Sequence, residues 1–343
     1  MAGALTKYSF INAKLRARIS QILPDEVFGQ LAQSASVDAA LALLRETPFA
    51  PLEEVYSSTG DLRLAEIELL KSEIELYRNI HQYLHESSRR LVDVLLSQFE
   101  IDNLKNAIRI YFDRKVRGHV DESAAHYILY EPILRSIPMD IIVNARSFDE
   151  IAGVCQGTPY KAIIEKYGAV VESEGSLFRL EVAFDQLYYA DLIDAINELD
   201  RVDREVAIRL IGVEIDLQNI SWIIRFKRFY GLPLDAVVAA LIPGGFHLNR
   251  ATIDELYQAQ NVTSVLQKFV GGAYPGLSAL LASEASDSTS RLTLIRRILA
   301  GYPFTIGIIL AYFILKADER KRIRMILNAK QLGRPLERIE NML

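Results

Sequence analysis

The sequence predicts an all-α protein that contains three divergent helical repeats. Glycine (18 residues) and proline (11) are both scarcer than average in this chain of 343 residues, which favours long helices over a turn-rich β fold. Candidate strands are sparse, because the apolar runs at 141–143 and 169–171 are short and lack partners joined by hairpin turns. Half of the residues are hydrophobic and 24% are charged, a composition that excludes a disordered or collagen-like chain.

A first sequence landmark occurs twice with the same internal spacing. Ser-Val-Asp at 36–38 precedes Thr-Pro-Phe at 47–49, and Ser-Phe-Asp at 147–149 precedes Thr-Pro-Tyr at 158–160, which is an offset of 111 residues. Each copy is typical of an amphipathic helix that is followed by a proline. A weaker third copy consists of Thr-Ser-Val at 263–265 and Ala-Tyr-Pro at 273–275.

A second landmark follows the first: an apolar helix that carries polar and basic residues at recurring positions and ends at a glycine. Its three sets are Asn103, Arg109 and Gly118; Asn219, Arg225, Lys227 and Gly231; and Arg322, Asn328, Lys330 and Gly333. Because the two landmarks keep the same order, we expect three repeats, at 8–118, 119–232 and 233–343. Such repeats can stack as an open solenoid or close around an axis, and the spacing alone leaves both arrangements open.

Each second landmark has apolar residues at helical spacing, which predicts one buried face. These residues are Ile101, Leu104, Ile108 and Phe112; Leu217, Ile220 and Ile224; and Ile323, Ile326 and Leu327. Lysine and arginine gather toward the end of each helix, where they complement the helix dipole. The preceding segments at 62–99 and 180–210 are also predicted to be helical, and the second of them is acidic.

Asn103 and Asn219 are unusual because asparagine is a poor helix former and both lie within apolar helices. A buried amide must find hydrogen-bond partners, most simply on the backbone of a neighbouring element. We interpret both residues as structural pins of the repeat, and a functional role is the alternative.

One stretch raises the question of a membrane span, because residues 298–315 contain no charge. Pro303 interrupts this stretch and is expected to open a helix at its first position. The remaining apolar run at 304–315 is too short to cross a bilayer and is predicted to be buried. The first ten residues contain no apolar segment typical of a signal peptide.

Few motifs suggest chemistry. The sequence has no phosphate loop, no dinucleotide-binding glycine motif and no nucleophile elbow, so we expect no cofactor and no small-molecule substrate. His81 and His85 stand at metal-ligand spacing on a helix, but we interpret them as part of an exposed polar helix face and expect no metal site, with a metal ion as the alternative. Cys155 lies in an apolar stretch and is expected to be an inert core thiol, as in the reducing cytoplasm.

The charge pattern indicates protein partners rather than nucleic acid. The formal net charge is −5 and the isoelectric point is about 5.7, so no general basic field is present. The basic run near the C-terminus contains Lys321, Arg322 and Arg324, and Arg225 with Lys227 is its counterpart in the second repeat. We expect that at least one of these clusters contacts a partner, and a solvated helix end is the alternative.

The order of these motifs resembles one known family. Glu-x-Asp-Leu-x-Asn-Ile at 214–220, followed by Ile-Ile-Arg-x-Lys at 223–227 and Gly231, is similar to the central motif of the C subunit of archaeal and bacterial V/A-type ATP synthases. The eukaryotic relative of that protein is the d subunit of the vacuolar proton pump. The opening at 8–18, the Thr-Pro-Phe segment, Ile-Pro-Gly-Gly at 242–245 and the closing helix at 312–330 are also similar.

The resemblance has two departures from the family pattern. The third repeat has Arg322 and Asn328 where the second repeat has Asn219 and Arg225. The chain also lacks the insertions of the eukaryotic relative, which indicates a bacterial or archaeal source.

The resemblance implies an all-helical funnel in which three similar units surround a pseudo-threefold axis. It also implies a non-catalytic rotor subunit on the cytoplasmic face of the membrane. Such a subunit receives the central axle, binds the ring of proteolipid subunits and transmits torque for transport of H⁺ or Na⁺, with no nucleic acid and no small-molecule substrate. The alternatives are a cytoplasmic helical-repeat scaffold unrelated to a pump, and a metal-dependent enzyme that uses His81 and His85.

Overall fold

The computed structural model describes residues 2–119, 122–245, 247–259, 295, 299 and 301–334. Within these ranges the chain forms fourteen α-helices and no β-strand, so the prediction of an all-α protein is confirmed for this part of the chain. The weaker third copy of the first landmark, at 263–275, lies outside the described residues.

The α-helices are α1 (Ala2–Ile19), α2 (Asp25–Gln33), α3 (Val37–Leu43), α4 (Ala50–Thr59), α5 (Leu62–His81), α6 (Glu86–Lys115), α7 (Met139–Asn144), α8 (Phe148–Val154), α9 (Tyr160–Glu174), α10 (Phe178–Asn197), α11 (Arg201–Arg225), α12 (Leu234–Ala240), α13 (Arg250–Gln258) and α14 (Gly307–Gln331). A 3₁₀ helix spans Glu122–Tyr127, and a π-helical turn at Phe226–Tyr230 extends α11.

The helices fall into two compact units. One unit comprises Met1–Leu69, Tyr83–His85 and Glu198–Leu343, and the other comprises Leu70–Gln82 and Glu86–Asn197. We refer to them as the larger and the smaller unit.

The core of the smaller unit forms around the 30-residue helix α6, which packs against α7 and α10. Helices α8 and α9 cross closely, because a Cβ atom on Gly168 would lie 2.6 Å from the Cβ atom of Phe148. The absence of a side chain at Gly168 therefore sets the distance between these two helices.

The core of the larger unit forms where α14 packs against α1, α2 and α3. The side chains of Phe28 and Leu31 from α2 join Ile323, Ile326 and Leu327 from α14 in one buried apolar cluster. These three residues of α14 are the ones whose spacing predicted a buried face. Burial of such side chains is the main source of free energy that holds a short helix against a long one.

The two copies of the first landmark form the same local structure. Ser36 and Ser147 are N-caps whose hydroxyls accept from the N–H groups of Ala39 and Glu150. Each threonine then bonds back to the end of the preceding helix: Thr47 Oγ1 donates to the carbonyl of Leu44, and Thr158 Oγ1 donates to that of Cys155, both at 2.7 Å.

The two predicted helical segments at 62–99 and 180–210 each contain a break. The first is interrupted between His81 and Glu86. The second is divided at Asp200, whose side chain accepts from the N–H group of Asp203 and so caps a new helix, α11.

The prediction that a helix opens at Pro303 is wrong, because α14 begins at Gly307. Asp203 from α11 accepts from the N–H group of Ile306 at 2.8 Å, and Thr305 Oγ1 accepts from that of Gly307 at 3.2 Å. These two oxygens satisfy free N–H groups at the helix start and so determine where it begins. Residues 305–313 are buried, and among the described helices none is long and apolar enough to cross a membrane.

Candidate functional site

Asn103 in α6 and Asn219 in α11 are both buried, and each bonds a backbone segment beyond its own helix. Asn103 Nδ2 donates to the carbonyl of Leu129 at 2.7 Å, and the N–H group of Leu129 donates to Asn103 Oδ1 at 2.9 Å. Asn219 makes the same pair of bonds with Ile242, both at 2.8 Å. One amide side chain thus satisfies both backbone groups of a buried loop residue that would otherwise be unpaired.

A buried carboxylate lies three residues before Asn103, Asn219 and Arg322. These carboxylates accept hydrogen bonds from backbone N–H groups at 2.5–3.2 Å: Glu100 from Leu134 and Arg135, Asp216 from His247 and Leu248, and Glu319 from Leu23. The acceptors are at most 2% exposed. Each one therefore fixes the backbone at the approach to a short helix, namely α7, α13 and α2.

A cation near the end of each of these three long helices donates a hydrogen bond to the C-terminal end of the short helix whose approach the carboxylate fixes. Arg114 donates to the carbonyl of Ala145, Lys227 to that of Ala259, and Lys330 to those of Ala32 and Ser34. Ala145, Ala259 and Ser34 are the C-caps of α7, α13 and α2. These bonds satisfy carbonyl groups that have no partner within the short helix.

Three similar junctions result, in which α6 holds α7, α11 holds α13 and α14 holds α2. A carboxylate lies near the start of each short helix and a cation near its end. Both charges have the sign that the helix dipole favours. The third junction is formed between α14 and the N-terminal part of the chain.

The third junction has Arg322 where the other two have asparagine, and its chemistry differs accordingly. Arg322 Nη1 lies 2.8 Å from Asp25 Oδ1 at the start of α2, and its guanidinium carbon lies 3.7 Å from the centre of the Phe28 ring. Its side chain is 13% exposed. At the other two junctions an asparagine side chain makes a pair of hydrogen bonds. At this junction the guanidinium makes an ion pair and a cation–π contact instead.

The Ile-Pro-Gly-Gly turn at 242–245 fits tightly against the second junction. A Cβ atom on Gly245 would lie 2.1 Å from Asp216 Oδ1, and Gly244 has a φ angle of 88°. Both glycines are required here, one for close approach and the other for a left-handed backbone.

The carboxylate of the first junction also shapes its surroundings. Glu100 Oε1 accepts from Tyr160 Oη at 2.7 Å and from Arg135 Nη1 at 2.8 Å. Burial and the charge of Glu100 raise the pKa of Tyr160 well above its ordinary value, and the same causes raise the pKa of Cys155 to about 12. The thiol of Cys155 is therefore protonated at neutral pH, which is the unreactive form.

The structure divides the basic residues of the second landmark and of the C-terminal basic run into two groups. Lys227, Arg322 and Lys330 bond short helices within the fold, as described above, and Arg109 Nε lies 2.7 Å from Glu181 Oε1. The side chains of Arg225, Lys321 and Arg324 are exposed. The predicted partner residues therefore include two, Lys227 and Arg322, that already have partners inside the chain.

Sequence reasoning missed the three junction carboxylates. Glu100, Asp216 and Glu319 recur three residues before Asn103, Asn219 and Arg322, and this spacing was a usable signal. A carboxylate in a helix ordinarily marks a solvated face, so burial is what distinguishes these residues.

The two histidines with metal-ligand spacing do not form a cluster of ligands. His81 Nε2 lies 2.9 Å from Asp93 Oδ1. In the part of the chain that the structure describes, no group of three or more potential ligands lies close enough to hold a metal ion.

Comparison with known proteins places these features in a family context. The model of the ATP synthase (C/AC39) subunit family matches residues 11–342. The C subunit of the A-type ATP synthase of Pyrococcus horikoshii is 23% identical over 334 residues, which is 94% of this chain and 86% of the relative. The corresponding C subunit of the A-type ATP synthase of Methanococcoides burtonii is 23% identical over 352 residues, which is 100% of this chain and 95% of the relative.

Proposed function

The chain belongs to the ATP synthase (C/AC39) subunit family, and on this basis we propose that it is a non-catalytic rotor subunit of a V/A-type ATP synthase. In this proposal it links the central axle to the proteolipid ring at the cytoplasmic face of the membrane. Its role is to transmit torque between ATP synthesis or hydrolysis and the transport of H⁺ or Na⁺.

The observation that carries the proposal is the cyclic order of the three junctions. The helix α6 in the proposed first repeat (8–118) holds α7 in the second (119–232), and α11 in the second holds α13 in the third (233–343). The helix α14 in the third repeat holds α2 in the first. This return to the start supports three units around a pseudo-threefold axis, since an open solenoid has no contact between its last and first repeats.

A funnel built in this way suits a mechanical adaptor. An adaptor must carry load from one partner to another without local unfolding, so its elements need strong connections. At each junction two side chains from one long helix, a carboxylate and a cation, bond the backbone at the two ends of a short helix. Glu100, Asp216 and Glu319 use their oxygens on backbone N–H groups, which supports a structural rather than a catalytic role for these carboxylates.

The exposed cations of α11 and α14 are the proposed contacts with other subunits. Arg225, Lys321 and Arg324 are available at the surface, whereas Lys227 and Arg322 stabilise the fold. Charged surface groups set the register and orientation of an interface, which an axle seated in a funnel requires.

Co-purification tests the proposed function. The tagged chain is expressed in its own organism, membranes are solubilised in mild detergent, and proteins that bind the tag are identified by mass spectrometry. We expect the axle subunits and the proteolipid ring to co-purify with the chain. Recovery of neither, under conditions in which the rest of the complex stays intact, would refute the proposal and favour an unrelated helical scaffold.

A further inference from the structure

The contact between α6 and α10 in the smaller unit contains balanced pairs of charges. Lys105 in α6 forms an ion pair with Asp185 in α10, and Arg109 Nε lies 2.7 Å from Glu181 Oε1. Each of these two cations therefore has its own carboxylate on the helix that packs against α6.

In the larger unit, α14 contacts the first turns of α5. The contacting residues of α14 have the same spacing along the helix as those of α6 in its contact with α10. Arg324 and Asn328 stand two and six residues after Arg322, as Lys105 and Arg109 stand after Asn103. Asn328 Nδ2 donates to Glu66 Oε1 at 2.8 Å, so it takes the place of Arg109.

The register on the packed helix can be counted from the glycine that closes the preceding helix. Gly60 and Gly175 are both C-caps with a left-handed backbone. Glu66 follows Gly60 by six residues, as Glu181 follows Gly175. Ten residues after the glycine the two helices differ, because α10 has Asp185 and α5 has Leu70. The position that corresponds to Asp185, the partner of Lys105, is therefore apolar in α5.

The charge at this place reverses as a result. In the smaller unit, the five positions carry three carboxylates and two cations: Asp102, Lys105, Arg109, Glu181 and Asp185. Their counterparts on α14 and α5 carry one carboxylate and two cations: Lys321, Arg324, Asn328, Glu66 and Leu70.

Two further arginines lie near Glu66. Arg63 and Arg320 act on Glu66 together with Arg324, although burial is the larger effect and raises the pKa of Glu66. Burial and the neighbouring Arg324 lower the pKa of Arg320 to about 10. Both Lys321 and Arg324 are exposed. The two exposed cations therefore present positive charge at the surface.

We propose that the α14 basic patch, formed by Lys321 and Arg324, is a docking surface for a carboxylate-rich segment of another subunit of the same complex. The proposal rests on the proposed function and specifies which exposed cations bind and which chemistry they recognise. A carboxylate from the partner would supply to Arg324 the counter-ion that Asp185 supplies to Lys105 within the chain. Complementary charge of this kind steers association and fixes register.

The test uses the rotary complex purified in detergent without this subunit, to which the purified chain is added back. The wild-type chain is compared with a Lys321→Glu/Arg324→Glu variant, and a Lys115→Glu/Lys166→Glu variant is the control. Lys115 and Lys166 are exposed cations of the smaller unit, so the control changes net charge equally. Circular dichroism and melting temperature verify that all three chains fold.

We expect the α14 variant to bind the complex about 10- to 100-fold more weakly than wild type at low ionic strength, and the control to bind normally. The difference should shrink between about 50 and about 300 mM salt, because the Debye length shortens. Equal binding by the folded α14 variant, with normal binding of wild type, would overturn this inference and leave the proposed function standing. Failure of wild type to bind would overturn both.

Anionic lipid is the competing ligand, and a second arm of the same experiment separates it. All three chains are mixed with vesicles of phosphatidylcholine alone and of phosphatidylcholine with phosphatidylglycerol. We expect the α14 substitutions to change binding to the complex and not to the anionic vesicles. Loss of vesicle binding with unchanged binding to the complex would assign the patch to a lipid surface instead.

Discussion

Replacing Asn219 by alanine tests the role of the buried amide pins quantitatively. The substitution removes two hydrogen bonds of 2.8 Å and leaves the N–H and carbonyl groups of Ile242 without partners. Ile242 is 3% exposed, so water cannot readily replace the amide. Each buried backbone group left unpaired costs about 1–3 kcal/mol, and because two groups lose their partners the variant should lose about 2–6 kcal/mol of unfolding free energy.

The assay exploits Trp222, which is the only tryptophan of the chain and lies one turn beyond Asn219 on α11. Trp222 is 4% exposed, so its fluorescence reports unfolding of the larger unit during a urea titration. Ser221→Ala is the matched control, because Ser221 is exposed on the same helix and its loss should change stability by less than about 0.5 kcal/mol. An Asn219→Ala midpoint indistinguishable from that control would refute the assignment of Asn219 as a structural pin.

Three further predictions address other parts of the fold. Gly245→Ala should destabilise the protein by about 2–4 kcal/mol, because the new methyl group meets a carboxylate oxygen. Gly29→Ala, where the added methyl group has open space, should be neutral or stabilising by up to about 1 kcal/mol. The midpoints of urea unfolding of the two variants measure this difference. Lys330→Met should lower the unfolding free energy by about 1–2 kcal/mol, because its hydrogen bonds to the end of α2 are lost. Lys321→Met should keep wild-type stability. Equal effects of the two substitutions would contradict the division into structural and surface cations. Because burial raises the pKa of Cys155 from 9.0 to about 12, the stability that depends on the protonated thiol is complete below pH 9.0 and is lost as the pH rises toward 12. Wild type should thus lose about 1 kcal/mol more than Cys155→Ala between neutral pH and pH 10, and parallel pH profiles would contradict this.

The sequence predicted the helices well because helical periodicity is a local property. The apolar spacing of Ile323, Ile326 and Leu327 identified a face that is buried in the structure, and the family resemblance is confirmed by the match over residues 11–342. The start of α14 was missed because Asp203, which is remote in sequence, supplies an acceptor to its first turn. No local pattern contains that information.

The polar residues likewise show that contacts between remote parts of the chain cannot be predicted from local sequence. Asn103 and Asn219 stood out because asparagine is unfavourable in an apolar helix. Glu100 and Asp216 did not, since glutamate and aspartate beside apolar residues are ordinary on a helix surface. Their burial depends on loops that return more than 25 residues later. A cation such as Lys330 was correctly placed at a helix end, but its bonds to the carbonyls of Ala32 and Ser34 join residues that are remote in sequence.

We propose that this chain couples two parts of a rotary machine without catalysing a reaction itself. The most direct measurement compares ATP-driven ion uptake and ATP hydrolysis in vesicles that contain the complex with and without the chain. The account predicts that complexes lacking it hydrolyse ATP without ion uptake, and that adding the purified chain restores uptake. Full ion uptake in the absence of the chain would contradict the account.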